Sequence, residues 1–220
     1  MSKSRAQRLR KHGPAAADAR TGDPSSTKPA SGVVNPSTGR TPAKAAGNAN
    51  MIVIAGAVAS AFLFGYSFIL IMPQFQQLSG GLAMPDTLVT GYSTEYVQDV
   101  RTAFGEDGAD QYNYWHKTAD TIFPLLFGFT WLLLIGQQLK RGLLRWLCWA
   151  PVLLYVIADL AENWVLDSIM STDPVGDASL ASFLTVAKSV LFGLSILAAL
   201  YAVFRGPRRK QNETTTAAKG

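Results

Sequence analysis

Charged residues are scarce in this 220-residue chain, at 16%, whereas soluble domains usually carry roughly 25%. Cysteine occurs once, at Cys148, which excludes a secreted scaffold built on disulfides within the chain. The existing charges are unevenly spread, since residues 1–50 hold nine Lys or Arg and the window 51–72 holds no charged residue. This distribution excludes a water-soluble enzyme with one buried core and indicates a multi-spanning membrane protein.

Four apolar windows are long enough to cross a membrane, which takes about 20 residues of helix. They cover residues 51–72, 119–139, 143–166 and 183–204. These windows predict an all-α membrane protein, a bundle of four transmembrane helices over residues 51–204 with basic tails at 1–50 and 205–220. The N-terminal tail is rich in Ala, Gly, Pro, Ser and Thr and is expected to be disordered. The first window is longer than the apolar part of a signal peptide, and Pro73 is expected to end it.

The distribution of basic residues predicts the orientation of these spans. Segments 1–50, 140–145 and 205–220 contain 17 of the 20 Lys and Arg residues, whereas the loops 73–118 and 167–182 contain nine acidic residues and two basic ones. Because basic loops stay in the cytoplasm, both termini are expected there, in a multi-pass protein of the plasma membrane. The tails are expected to attract anionic lipid headgroups. No aromatic residue interleaves with their basic clusters, so no nucleic-acid partner is predicted.

The loop 73–118 is too long to be a simple connection. Within it, Ser93 can cap a helix over about 94–104 that Gly105 ends. Apolar residues recur there at spacings of three and four, which predicts a short amphipathic helix on the bundle or the membrane surface. A second helical stretch begins near Ala109 and continues into the second span. The loop would then act as a cap or as a lid over a site.

Ionisable residues inside predicted spans are rare and costly, and here the topology places several at one depth near the outer ends of three helices. Asp120 begins the second span, Asp159 and Glu162 lie near the end of the third, and Lys188 lies near the start of the fourth. Helical spacing brings further polar side chains to the same level. The resulting polar cluster consists of His116, Asp120, Tyr155, Asp159, Glu162, Asn163 and Lys188.

Three interpretations of the polar cluster follow from its residue types. Lys188 can neutralise Asp159 or Glu162, in which case the cluster only fixes the packing of the helices. Alternatively, two carboxylates and an amine in a low dielectric suit proton transfer. A metal site made of His116, Asp120, Asp159 and Glu162 has suitable ligand types but no tight spacing motif, and the ammonium group of Lys188 opposes it. No metal and no cofactor is therefore predicted.

Several segments, in the order GYSTEYV, QYNYWHKTADTIFP and ADLAEN, resemble a family of small bacterial four-span integral membrane proteins. The resemblance covers about residues 51–204 and leaves out both tails. It implies the four-span topology and a bacterial plasma membrane, but no reaction, and Lys188 lies outside its motifs. The residues of this chain that match the family's motifs are Asp120, Phe123, Pro124, Asp159, Glu162 and Asn163.

The first functional hypothesis is a non-enzymatic membrane protein whose polar cluster, near the outer leaflet, is structural or binds a small or lipid-like ligand. The second is an enzyme acting on a lipid headgroup, with Asp159 and Glu162 as the acid/base pair and Asp120 orienting them. A proton-coupled carrier ranks third, because no ionisable residue continues a path through the inner halves of the spans. Ala57, Ala61 and Gly65 form a small-residue stripe that suits packing within the bundle or in a homo-oligomer.

Overall fold

A computed structural model of this chain describes the backbone of residues 42–217 and the side chains of residues 47–206. Every regular element in this part of the chain is helical. Two π-helical turns, Ser67–Ile71 and His116–Asp120, interrupt long helices, and a 3-10 turn occupies Pro85–Thr87. The α-helices are α1 (Pro42–Tyr66), α2 (Met72–Leu78), α3 (Thr94–Trp115), α4 (Thr121–Gln138), α5 (Leu143–Met170) and α6 (Ser179–Ala217).

Four of the helical segments are long and apolar enough to cross a membrane: Gly47–Leu78, Thr94–Gln138, Leu143–Met170 and Ser179–Gly206. Their most apolar windows have mean hydropathies between 1.6 and 2.1. Many large apolar side chains on these helices point outward, among them Phe62, which is 70% exposed, and Phe183, which is 67% exposed. An apolar exterior of this kind is what a membrane protein presents to lipid tails. The four predicted spans are therefore present as four helices of suitable length and composition.

The first helical segment extends beyond both of its predicted bounds. Helix begins at Pro42 instead of Met51, because the intervening alanines favour helix and Pro42 starts it without needing an N–H group. The expectation that Pro73 ends the span is wrong. The π turn Ser67–Ile71 precedes Pro73, which lies in the first turn of α2, where a missing N–H costs little. The predicted disordered tail covers residues 1–50; the prediction is wrong for residues 42–50, which are helical, and residues 1–41 lie outside the described residues.

Helix α1 approaches α4 most closely at Gly56. A methyl group added at Gly56 would overlap the hydroxyl of Thr130, and Ser60, one turn further along, is only 3% exposed. Near the start of the segment, the side-chain amide of Gln137 donates to the carbonyl of Ala49 at 3.2 Å. The predicted small-residue stripe does not form this contact, since Ala61 on that stripe is exposed.

Helix α3 closes one end of the bundle, which we call the loop end. The hydroxyl of Ser93 accepts a hydrogen bond from the backbone N–H of Tyr96 at 3.2 Å, as an N-cap does. At Gly105 the backbone adopts φ 64° and ψ −164°, a conformation that only glycine adopts readily, and the helix kinks there. The apolar cluster at this end consists of Phe75, Met84, Val97, Val100, Phe104, Tyr112, Trp115, Leu166, Met170, Ala178 and Ala181.

Helices α4, α5 and α6 pack against one another over their length. At the end away from α3, which we call the opposite end, the indole N–H of Trp149 donates to the carbonyl of Leu132 at 3.1 Å. The α4–α5 connection is short there, because Leu143 begins α5 soon after α4 ends at Gln138. The apolar cluster at this end consists of Ile135, Leu139, Cys148, Val152, Ala199 and Ala202.

Candidate functional site

Lys188 on α6 contacts two carboxylates of α5. Its ammonium nitrogen lies 3.3 Å from Asp159 Oδ1 and also contacts Glu162 Oε2. The hydroxyl of Thr185, one turn before Lys188, donates to the other carboxylate oxygen of Glu162. The Glu162 side chain is completely buried, and those of Asp159 and Lys188 are 6% and 12% exposed. Lys188 thus bridges both acidic side chains, an arrangement that offsets part of the cost of burying all three charges.

Asp120 and Asn163 form a second polar contact between helices. The side-chain amide of Asn163 on α5 donates to Asp120 Oδ2 at 2.8 Å, across the start of α4. Tyr155 lies one turn before Asp159 on α5, and its ring packs edge-on against Phe127 with 5.2 Å between the ring centroids. Six of the seven residues of the predicted polar cluster therefore lie together: Asp120, Tyr155, Asp159 and Lys188 line one cavity, Glu162 contacts Lys188, and Asn163 contacts Asp120.

His116 has a different principal partner. Its Nδ1 lies 2.6 Å from Oδ1 of Asp167, a residue outside the predicted cluster. The imidazole ring is buried and lies against the ring of Tyr112, with 4.2 Å between the centroids. Tyr112 in turn donates its hydroxyl hydrogen to Asp86 in the 3-10 turn. His116 therefore belongs to a neighbouring chain of polar contacts that reaches into the loop.

Asp86 and Asp167 are the site residues that the sequence analysis does not single out. Asp167 continues the spacing of four residues along α5 that contains Tyr155, Asp159 and Asn163, so helical periodicity indicates its position. Asp86 lies in a loop, and no spacing or motif in the neighbouring sequence points to it. Only the folding of that loop against the helices brings it to the site.

A cavity of about 140 Å³ lies beside the ion pair at the loop end. Four of its lining side chains are polar groups of the site: Asp86, Asp120, Asp159 and Lys188. Its other walls are mainly apolar and aromatic, and an engineered cavity of about 150 Å³ is large enough to hold benzene. The remaining lining residues are Phe64, Ser67, Phe68, Met72, Thr87, Val89, Phe123, Tyr155, Ser189 and Phe192.

Both π turns border this cavity. Ser67 and Phe68 belong to the first turn, and Asp120 ends the second. Phe64, just before the first turn, stacks on Phe192 of α6 with a 5.9 Å centroid distance and a 5° angle between the rings. Single π turns inside α-helices occur frequently at functional sites, where they redirect side chains. Two of them on one cavity wall distinguish this region from the rest of the described chain.

Tyr92, in the loop before α3, makes hydrogen bonds that connect this loop to the neighbourhood of the ion pair. Its backbone N–H is 2.8 Å from the hydroxyl of Ser182, and its phenol oxygen is 3.2 Å from the hydroxyl of Thr185, which contacts Glu162. Burial raises the pKa of Tyr92 well above its ordinary value, so the phenol remains neutral. The loop thus contacts the ionic groups through neutral hydroxyls.

No protein-family model, curated protein or solved structure matches this chain. The resemblance to a bacterial four-span family therefore stays a prediction, and the functional argument depends on the geometry of the site.

Proposed function

We propose that this chain is an integral membrane protein that binds a small or lipid-like amphiphile in the loop-end cavity. The observation that carries the proposal is the composition of the cavity wall, which combines charged side chains with phenylalanines. An amphiphile needs both, because its polar group requires hydrogen-bonding partners and its chain requires an apolar surface. Lys188 and Asp159 supply the first and Phe64, Phe123 and Phe192 the second.

The orientation in the membrane is part of this proposal. The basic segments 1–50, 140–145 and 205–220 favour a cytoplasmic location for the opposite end and both termini, in the plasma membrane of a bacterium. The cavity would then lie near the outer leaflet, where headgroups are within reach of its polar wall. Single cysteines in a Cys148→Ala background test this in intact cells. We expect an impermeant thiol reagent to label Asp107→Cys but not Asn35→Cys or Asn212→Cys. Labelling of the last two would contradict the orientation.

Ligand binding is tested by filling the cavity without touching the ion pair. Ser189 lines the cavity, so Ser189→Leu should exclude the amphiphile. Gly193→Leu is the matched control, because it lies one turn further along α6 and a Cβ there meets nothing within 4 Å. Native mass spectrometry of protein released from nanodiscs of defined phospholipid composition measures the lipid retained. We expect wild type and Gly193→Leu to retain one lipid and Ser189→Leu to lose it. Equal retention by the two variants, or none by wild type, would leave the cluster purely structural.

Asp159 favours a second candidate, an enzyme acting on a lipid headgroup. Its Oδ2 is buried and has no hydrogen-bond partner among the described residues, although the side chain lines the cavity. A carboxylate oxygen in that position is suited to exchange a proton with a bound headgroup, and Glu162 and Asp120 would support it. Incubation with a bacterial lipid extract, followed by mass spectrometry of the lipids, tests for conversion. An enzyme requires products that Asp159→Asn abolishes while lipid retention persists; unchanged lipids favour binding alone.

A further inference from the structure

A histidine and two aspartates converge where the loop meets the start of α4. Asp86 comes from the 3-10 turn, and His116 and Asp120 are the first and last residues of the second π turn. Each offers one ligand atom, and these atoms all lie within 4.8 Å of one another. Atoms bound to one Zn²⁺ ion are separated by at most about 4.2 Å, twice a bond length of roughly 2.1 Å. Small side-chain rotations therefore bring the three groups to ligand distance.

The hydrogen bond to Asp167 fixes which nitrogen of His116 is available. Nδ1 is 2.6 Å from the carboxylate, so it carries a proton and donates it, which leaves Nε2 as the nitrogen that can bind a metal ion by giving up any proton of its own. The ring is 1% exposed, and Nε2 has no hydrogen-bond partner among the described residues. A buried acceptor without a partner is unusual and calls for an explanation. A histidine held by a carboxylate through one nitrogen, with the other free, is the arrangement found in metal sites.

Each of the two aspartates is also held by a neighbour. Asp86 Oδ1 accepts from the hydroxyl of Tyr112, and Asp120 Oδ2 accepts from the amide of Asn163. In each carboxylate one oxygen is fixed by this contact, which orients the side chain. Tyr112 is completely buried and Asn163 is 5% exposed, so these supports are rigidly placed. Supporting hydrogen bonds to every ligand are what a preorganised metal site requires.

The charges of the region favour a cation. Lys188 contacts Asp159 and Glu162, and Asp86, Asp120 and Asp167 carry no ion pair with a Lys or Arg in the described part of the chain. The region thus holds five carboxylates against the ammonium of Lys188 and one imidazole, so negative groups are in excess whether or not His116 is protonated. A divalent ion would offset two of the negative charges in a region of low dielectric. The ammonium of Lys188 is in direct contact with Asp159 and Glu162 and not with Asp86 or Asp120, so it offsets only part of the negative charge around the cavity that these residues share.

We infer that Asp86, His116 and Asp120 bind a divalent transition-metal ion, with Asp167, Tyr112 and Asn163 orienting the ligands. One imidazole and two carboxylates suit Zn²⁺ or Mn²⁺ better than a soft ion such as Cu⁺. Asp86 and Asp120 also line the cavity, so the proposed metal site adjoins it. This inference goes beyond the proposed amphiphile binding and does not depend on it, since the ligands come from the protein alone.

Metal binding by the full-length protein tests the inference. The purification tag is removed, the protein is treated with EDTA in detergent, and Zn²⁺ or Mn²⁺ alone is added back. We expect one ion per chain by mass spectrometry of the metal content, with X-ray absorption showing nitrogen and oxygen ligands. Asp86→Asn and Asp120→Asn should weaken binding at least 10-fold while keeping an acceptor for Tyr112 and Asn163. Asp167→Asn should weaken it about 10–100-fold, the usual effect of losing a group that orients a ligand.

The chain supplies a matched control, because its only other histidine is His12. We expect His116→Gln to lose the ion and His12→Gln to keep it. If His116→Gln does not fold, metal binding by Asp86→Asn tests the inference instead. Asp86 lies in a loop outside the long helices, so we expect this variant to fold. Absence of stoichiometric Zn²⁺ and Mn²⁺ binding by wild type would overturn the inference. Equal affinity of Asp86→Asn, Asp120→Asn and His12→Gln would do so as well. Lipid retention by the wild type is measured separately and tests the proposed function, not the metal site.

Discussion

The loop end and the opposite end are built from the same three helices, α4, α5 and α6, but they are stabilised differently. At the loop end, ionic and polar side chains are buried between the helices, and Tyr92 of the loop before α3 contacts Thr185 beside them. At the opposite end the core is apolar and contains small residues such as Ala199 and Ala202, which allow close helix packing. The helices alone thus pack well where side chains are apolar and small, whereas the loop end depends on the loop to enclose its polar groups.

The difference also concerns hydrogen bonds between elements distant in sequence. At the loop end, Arg101 of α3 donates from Nε to the carbonyl of Met170 at 2.9 Å, and the backbone N–H of Ala178 donates to the hydroxyl of Thr94 at 3.0 Å. These contacts hold the cap on the ends of α5 and α6. Burying a charged side chain is costly unless hydrogen bonds satisfy it, and the carbonyl of Met170 provides such a bond for Arg101.

Removing the bridging ammonium should have the largest effect. Lys188→Met leaves Asp159 and Glu162 buried without their partner, and breaking a buried ion pair typically costs about 3–5 kcal/mol. We expect the melting temperature in detergent to fall markedly. The triple variant that adds Asp159→Asn and Glu162→Gln should recover much of the loss, because no charge is then left unpaired. Lys117→Met, at an exposed position of the second π turn, is the control. Equal melting of wild type and Lys188→Met would show that the ion pair contributes no stability.

A matched pair of valines should sharpen the comparison between the two ends. Val100 in the cap and Val152 in α5 are both completely buried. Val100→Ala should cost about 2 kcal/mol, from roughly 0.8 kcal/mol per lost CH₂ group plus the cavity left behind. Val152→Ala should cost only about 1 kcal/mol. Lipid tails are as apolar as the interior of the bundle, so the substitution loses mainly packing contacts and little hydrophobic free energy. Denaturant unfolding in nanodiscs measures both. A larger loss of unfolding free energy for Val152→Ala than for Val100→Ala would contradict the expectation that the opposite end is surrounded by lipid.

Loss of the N-cap hydrogen bond at the start of α3 should have an effect as small as that of Val152→Ala. Ser93→Ala removes the acceptor for the N–H of Tyr96 and should cost about 1 kcal/mol. The loss should be local, so hydrogen exchange is expected to increase at residues 94–97 while the opposite end is unchanged. Ser93→Thr keeps a hydroxyl and should preserve most of the protection. Faster exchange at both ends in Ser93→Ala would mean that the cap and the helices unfold as one unit.

The four helices could be predicted from the sequence because length and apolar composition suffice to identify them. The beginning of α3 was also predictable, since Ser93 is a strong N-cap residue and Gly105 readily adopts the conformation found at the kink. The continuation of helix through Pro73 was not predictable, because it depends on the π turn before it. Disorder of residues 1–50 was predicted and is wrong for 42–50, which are helical. For residues 1–41 it remains a prediction, as do the membrane orientation and the functional hypotheses.

For the site, the sequence by itself determined which polar residues share a helix face. Tyr155, Asp159 and Asn163 are spaced by four, and that spacing places them together on any helix. Tertiary structure decided their partners: Lys188 contacts both acids of α5, and His116 turns to Asp167. It alone brought in Asp86, because a loop residue reaches its neighbours through chain folding that no local periodicity encodes. The spacing of residues along a helix determines in which direction each side chain points from the helix axis. The distances between helices and loops depend instead on how their side chains pack.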